Sequence, residues 1–163
     1  MSDPILQIWD GHAVPIHALT EAETTVVLAG DAFAAALAAT ADFKGKVGQL
    51  LLIPNPEGGL DRVLFGAGDA QHPTAFRTLP GKLPPGVYQV VARPDGVTED
   101  QVALYFALGS YRFDRYKFRG AERPRLVAPG ADIPEILQIA HACALARDMI
   151  NTPANDMGPL QIE

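Results

Sequence analysis

The strongest constraint on the fold is a series of short apolar runs, separated by helix-forming segments and by turns rich in glycine and proline. The runs are far shorter than the roughly 20 residues needed to span a bilayer, and many of their residues are β-branched. Such runs are typical of buried strands. The predicted strands are Ile5–Trp9, Val14–Leu19, Thr24–Ala29, Gln49–Pro54, Arg62–Gly66, Val87–Ala92 and Arg125–Val127. For the first two, an extended arm is the alternative.

Helical patterns lie between these runs. Asp31 is a good N-cap for the alanine-rich segment that follows it, and we expect that helix to end by Gly45. A short helix is predicted within Asp69–Leu79. Thr98–Phe113 has the clearest helical spacing, and Thr98 with Gln101 matches a capping box.

The last helix is predicted to begin after Asp132, where Glu135 completes a second capping-box pattern. It should end near Asn151, because Pro153 disfavours helical geometry in the residue before it. Residues 55–61 form a turn-rich connection of hairpin type between two of the strands. The order of elements therefore predicts an α/β fold, a mixed sheet with helices on both faces.

Composition narrows the class of protein. The chain has 163 residues, 48% of them hydrophobic, and a formal net charge of −6. An acidic balance argues against a nucleic acid or an anionic membrane as the general partner, because both require a positive field. The single cysteine, Cys143, excludes an internal disulfide framework, and the N-terminus lacks a signal-peptide pattern. We therefore expect a cytoplasmic protein with neither of these partners.

The residues that carry chemistry form no recognised set. The histidines lack zinc-site spacing, and we expect Cys143 to pack as a small apolar residue. Carboxylates fall near the ends of elements, where helix capping explains them. No catalytic, cofactor-binding or metal-binding residue is predicted. The residues considered are His12, His17, His72, His141, Asp31, Asp42, Glu57, Asp61 and Asp69.

Three segments have two interpretations each. Gly30–Asp31 and Gly66–Asp69 could hold a phosphate at a helix N-terminus, or could be ordinary turns with an N-cap aspartate. Tyr111–Arg119 interleaves aromatic and basic residues, as single-stranded nucleic-acid sites do. The alternative is an amphipathic extension of the preceding helix, with its arginines outside.

The stretch Leu145–Pro159, which contains Asn-Thr-Pro-Ala-Asn and Met-Gly-Pro, resembles the signature that opens the catalytic domain of leucyl aminopeptidases, the M17 cytosol aminopeptidases. Gly109–Lys117 is similar to the pattern that precedes that family's domain linker. In position and element order the resemblance covers the whole chain. It divides the chain into an N-terminal domain, residues 1–128, and an interdomain helix with the start of the catalytic domain, residues 129–163.

The resemblance implies a macro-domain-like N-terminal unit in a hexameric enzyme that removes N-terminal residues from peptides. The family binds two divalent metals, zinc or manganese, through motifs of the type GKGxxFDxGG and NTDAEGR. Neither motif occurs in this sequence, so no metal ligand is assigned and the chain alone is expected to be inactive. Asn151, Pro153 and Asn155 match the family at the domain junction, where a structural role is expected. The domain itself would serve oligomer contacts and access to the catalytic centre.

Two alternatives remain at the level of sequence. One is a stand-alone macro-like module that binds ADP-ribose or a related nucleotide at the turns Gly30–Asp31 or Gly66–Asp69. The other is a purely structural interaction domain without a ligand.

Overall fold

The fold is built on one mixed sheet. A computed structural model describes residues 4–68, 73–116 and 122–156, and within them six strands pair in the order β1-β6-β5-β2-β4-β3. All neighbours are parallel except β3 and β4, which form an antiparallel hairpin. The strands are β1 (Ile5–Leu6), β2 (Val14–Leu19), β3 (Leu50–Pro54), β4 (Leu60–Gly66), β5 (Val87–Ala92) and β6 (Arg125–Val127).

Five α-helices and two short 3₁₀ turns complete the part of the chain that is described. Helix starts follow the predicted caps: the carboxylate of Asp31 accepts from the amide of Ala34, and Thr98 forms its capping box with Gln101. The helices are α1 (Glu21–Ala29), α2 (Ala32–Thr40), α3 (Leu79–Lys82), α4 (Glu99–Gly109) and α5 (Ile133–Asn151), and the 3₁₀ turns are Pro73–Thr78 and Ala154–Asp156.

The core lies on both sides of the sheet. Successive strand residues point to opposite faces, so Ile16 and Phe65 contribute to a large cluster with α3, α4 and α5, whereas Leu19 and Leu64 contribute to a smaller one with α1 and α2. Ile16 and Phe65 are fully buried. The prediction of an α/β fold with helices on both faces of a mixed sheet is confirmed.

The strand predicted at Thr24–Ala29 is wrong, because these residues belong to helix α1. Its capping box explains the difference: the amide of Thr20 donates to Glu23 Oε2 at 2.7 Å, and the amide of Glu23 donates to Thr20 Oγ1 at 3.2 Å. Val26 is 73% exposed, so the β-branched run does not lie in a sheet. Local capping and tertiary context override a weak β preference.

Two predicted helices differ from expectation, whereas α2 ends at Thr40, in agreement with an end by Gly45. Helix α4 ends at Gly109, before the predicted end at Phe113. At Gly109 the carbonyl group of Arg77 approaches the helix so closely that a Cβ would clash with it. The helix predicted within Asp69–Leu79 is a 3₁₀ turn over residues 73–78, and residues 69–72 lie outside the described residues.

The carboxyl end of β4 is covered by the segment that precedes β3. The amide of Gly48 donates to the carbonyl of Gly66 at 2.8 Å, and the amide of Gly66 donates to the carbonyl of Gln49 at 2.8 Å. A Cβ on Gly66 would lie 2.6 Å from the carbonyl carbon of Gly45 and still closer to the carbonyl oxygen of Lys46. Only glycine allows this backbone approach.

We expect Gly66→Ala to lower the free energy of unfolding by about 2–4 kcal/mol, because rigid backbone on both sides prevents relaxation. Gly81→Ala is the control: a Cβ at Gly81, near the end of α3, meets no atom within 4 Å. It should leave stability unchanged or raise it by up to about 1 kcal/mol. Urea unfolding followed by circular dichroism measures both variants, and equal stabilities would contradict this packing at β4.

Candidate functional site

The first predicted anion site, at Gly30–Asp31, is filled by the protein itself. The amide of Gly30 donates to the carbonyl of Val27 at 3.2 Å, and the Asp31 carboxylate accepts from the amide of Ala34 at 2.9 Å. Asp31 also forms an ion pair with Arg62. The hydrogen bond from Ala34 and the neighbouring guanidinium hold the pKa of Asp31 below its ordinary value. A charged carboxylate therefore lies at the N-terminus of α2, where a phosphate would bind.

The second predicted anion site, at Gly66–Asp69, is closed in the same way. The amides of Gly66 and Ala67 donate to the carbonyls of Gln49 and Leu19, each at 2.8 Å. The Val47 side chain packs against Gly68, where a Cβ would clash with it. Asp69 lies outside the described residues. In the described part of the two turns, the amides of Gly30, Asp31, Gly66 and Ala67 are thus already bonded within the chain, and the ADP-ribose alternative receives no support.

The candidate metal ligands do not converge. Among residues 4–68, 73–116 and 122–156, no three His, Cys, Asp or Glu side chains come together as a metal site would require. His12 is exposed and Cys143 is partly buried on α5. His72 lies outside the described residues. The carboxylates Asp42 and Asp61 pair with Lys44 and Arg62, respectively.

His17, on β2, is the histidine whose surroundings are most distinct. Its side chain is partly buried, and burial is the main cause that lowers its pKa. The positive charge of Arg62 lowers this pKa further, while the negative charge of Asp61 raises it. His17 therefore prefers the neutral form in the folded protein.

The most extensive polar cluster joins the segment after α4 to the second half of α5. Tyr111 is central: its hydroxyl donates to Asp148 Oδ1 at 2.8 Å and accepts from Asn151 Nδ2 at 3.0 Å. Burial is the main cause that raises the pKa of Tyr111, and the Asp148 carboxylate raises it further. We call Tyr111, Arg115, Arg147, Asp148, Asn151 and Thr152 the junction cluster.

Arg147 contributes two contacts to the junction cluster. Its Nη1 donates to the carbonyl of Leu108 at 2.8 Å, near the C-terminal end of α4. Its guanidinium lies 5.2 Å from the centroid of the Tyr111 ring, within cation–π distance. One side chain thus ties α5 both to α4 and to the segment that follows α4.

The end of α5 is held by Thr152 and Arg115. Thr152 is buried; its amide donates to the carbonyl of Asp148 at 2.9 Å, and its hydroxyl donates to the same oxygen at 2.6 Å. Arg115 Nη1 donates to Thr152 Oγ1 at 3.3 Å. Beyond the helix, the hydroxyl of Tyr116 donates to the carboxylate of Asp156. These contacts fasten the chain where the helix ends.

The structure corrects the alternative reading of Tyr111–Arg119. Residues 111–116 are irregular and do not extend α4, and residues 117–121 lie outside the described residues. Tyr111 bonds to Asp148 on α5, and Arg115 bonds to Thr152 just after the helix, while Arg112 and Arg115 are exposed. Asn151 contacts Tyr111, as expected for a structural residue, whereas Pro153 and Asn155 are exposed.

Sequence reasoning did not identify Arg147 or Asp148. Their signal was present as two adjacent charges on a helix whose surrounding positions are apolar. Both partners lie almost 40 positions earlier in the chain, with sequence separations of 39 for Arg147 and Leu108 and 37 for Asp148 and Tyr111. The arrangement orients α5 on the domain and contains no nucleophile or paired acid and base for chemistry.

We expect Tyr111→Phe and Asp148→Ala each to lower the free energy of unfolding by about 1–2 kcal/mol, because each leaves a polar partner unmatched. The double variant should cost less than the sum of the two by roughly 0.5–1.5 kcal/mol, since the shared hydrogen bond is lost only once. Urea unfolding of the four proteins gives this coupling energy. Strict additivity would show that the bond contributes nothing.

The lowered pKa of His17 predicts that stability falls with acidification. Below about pH 6.5 the unfolded chain protonates this histidine before the folded protein does, so protons favour unfolding. The slope from this one group is bounded by about 1.4 kcal/mol per pH unit. His17→Gln should flatten the stability profile between pH 7.5 and 5.5, whereas His12→Gln, an exposed control, should not. Thermal melts across this range are the measurement, and parallel profiles for all three proteins would refute the assignment.

With this geometry in place, comparisons with known proteins identify the domain. Residues 14–129 match the family model described as the M17 aminopeptidase N-terminal domain. A probable cytosol aminopeptidase from Leifsonia xyli subsp. xyli is 30% identical over 162 residues, an alignment that covers 87% of this chain and 32% of the relative.

Solved structures share the fold. A cytosol aminopeptidase from Coxiella burnetii superposes with a TM-score of 0.82 at 30% sequence identity. The match covers 99% of this chain and 36% of the Coxiella burnetii chain. The bottromycin maturation enzyme BotP, solved in complex with Mn, superposes with a TM-score of 0.67 at 22% sequence identity. The match covers 99% of this chain and 34% of the BotP chain, and at this identity it shows similarity of fold alone. This chain thus spans about a third of the length of these relatives. It belongs to the M17 aminopeptidases, a family of hydrolases, and corresponds to their N-terminal domain.

Proposed function

We propose that this chain is the non-catalytic N-terminal domain of a metal-dependent leucyl aminopeptidase that removes N-terminal residues from peptides. The observation that carries the proposal is the family match over residues 14–129, which is specific to the N-terminal domain. The similar protein from Leifsonia xyli subsp. xyli, named a probable cytosol aminopeptidase, supports the peptide substrate and a cytoplasmic location.

The reaction itself is assigned to a part of the protein outside these 163 residues. The described residues bring no three potential ligands together, so they do not fit a pair of metal ions. The Mn complex of BotP supports a divalent metal, zinc or manganese, elsewhere in the enzyme. The chemistry that two such ions supply is activation of water and polarisation of the scissile carbonyl.

We further propose that residues 1–128 form the N-terminal domain and that residues 129–163 form the interdomain helix and the start of the catalytic domain. Strand β6 ends at Val127, and the amide of Ala128 donates to the carbonyl of Leu6 at 2.9 Å, which completes the pairing with β1. Helix α5 then begins at Ile133 and carries Arg147, Asp148 and Asn151 of the junction cluster in its second half. The domain's own role is architectural: contacts in a hexamer and control of access to the catalytic centre.

No helix in the described ranges is long and apolar enough to cross a bilayer.

We expect the purified 163-residue chain to hydrolyse no leucyl-anilide substrate, with or without added Mn²⁺ or Zn²⁺, because residues 4–68, 73–116 and 122–156 bring no metal-binding group together. A protein that includes the sequence following Glu163 in the gene should hydrolyse the substrate and should lose that activity to a chelator. Spectrophotometric release of the aniline measures both proteins. Metal-dependent hydrolysis by the 163-residue chain, or none by the longer protein, would overturn the proposal.

A further inference from the structure

Helix α5 is apolar on two opposite sides. Its inner side packs on the sheet: Ile133 and Ile136 are buried, and Leu137 and Ala140 pack against the same core cluster. A helix at the surface of a finished protein normally presents a polar outer side. The first half of α5 does so, with Glu135 and Gln138 exposed on the outer side, but from Ile139 onward the outer side is apolar.

The apolar stripe covers the outer side between Ile139 and Ile150. Its members recur at intervals of three, four and seven residues, which places them along one side of a helix. Leu145 is 64% exposed and Ile150 is 82% exposed, and no member of the set is charged. We define the outer stripe as Ile139, Ala142, Leu145, Ala146, Met149 and Ile150, all of which are exposed.

The outer stripe is held in a fixed direction. Arg147 and Asp148 lie on the other side of the same helical turns and are bonded to Leu108 and Tyr111 at 2.8 Å each. These bonds prevent α5 from turning its exposed apolar residues towards the core. The stripe is therefore a preformed surface, and apolar surfaces of this kind mark interaction sites.

We propose that the outer stripe is the docking surface for the part of the M17 chain that follows this domain. The family match is to an N-terminal domain, and the Coxiella burnetii enzyme is covered over only 36% of its length, so the greater part of such a chain follows. Leu145, Met149 and Ile150 lie in the last two turns of α5, nearest to where that following part begins. This inference rests on the proposed function, because it requires that a catalytic part follows this domain in the protein.

The test measures thiol accessibility in a Cys143→Ser background. Ala146→Cys reports the outer stripe, and Ala39→Cys on α2 is the matched control, an exposed alanine on another helix. Both thiols should react rapidly with an aromatic disulfide reagent in the 163-residue chain. In the native protein, with whatever sequence follows Glu163, Ala146→Cys should react at least tenfold more slowly while Ala39→Cys keeps its rate.

The outcomes separate this inference from the proposed function. Equal rates at the two positions in an active longer protein would overturn the docking surface and leave the function intact. Protection in a longer protein that lacks aminopeptidase activity would support docking and overturn the function. A native product that ends at Glu163 would overturn both. Protection that grows with concentration of the 163-residue chain would assign the stripe to a second copy and overturn the proposal.

A second variant checks the energetics of docking. Ile150→Lys places a charge on the stripe at a position that is 82% exposed, so the 163-residue chain should keep its unfolding midpoint. The same change in the longer protein should lower the cooperativity or midpoint of thermal unfolding, because the charge would be buried against an apolar partner. An unchanged melting curve in the longer protein would argue against the proposal.

Discussion

The parallel pairing of β2 with both β4 and β5 is the constraint on which the rest of the structure depends. Parallel neighbours require long crossover connections, and those connections place helices over the sheet. Strand β2 is therefore covered from both sides: Ile16 and Ala18 face α4 and α5, while Leu19 faces the cluster of α1 and α2. The antiparallel hairpin of β3 and β4 then ends the sheet at one edge.

This arrangement usually creates a ligand crevice at the carboxyl ends of parallel strands. Here the chain's own backbone covers the carboxyl ends of two of these strands, β2 and β4. Residues 45–48 lie against the end of β4, and the amide of Ala67 is bonded to the carbonyl of Leu19, at the end of β2. The carboxyl ends of β2 and β4 are thus covered by the chain's own backbone.

Local signals in the sequence predicted most elements because those elements depend on local interactions. Asp31 and Thr98 cap helices through residues three positions away, and β3 and β4 pair across a short turn. The error at Thr24–Ala29 arose where two local signals conflicted, and the capping box outweighed the β-branched run. The junction cluster could not be predicted, because the resemblance marked its two segments without indicating that they contact each other. Tyr111 meets Asp148 only after α4 and α5 have packed.

Helix α5 shows why that long-range contact matters for the surface. An α-helix with apolar residues on both sides can bind the sheet in either of two orientations, and hydrophobic burial alone discriminates weakly between them. The polar bonds of Arg147 and Asp148 are directional, so they select one orientation. In this orientation Ile133 and Ile136 are buried, whereas Leu145 and Ile150 are exposed on the outer side. The junction cluster therefore fixes the orientation of α5, and the same orientation exposes the outer stripe.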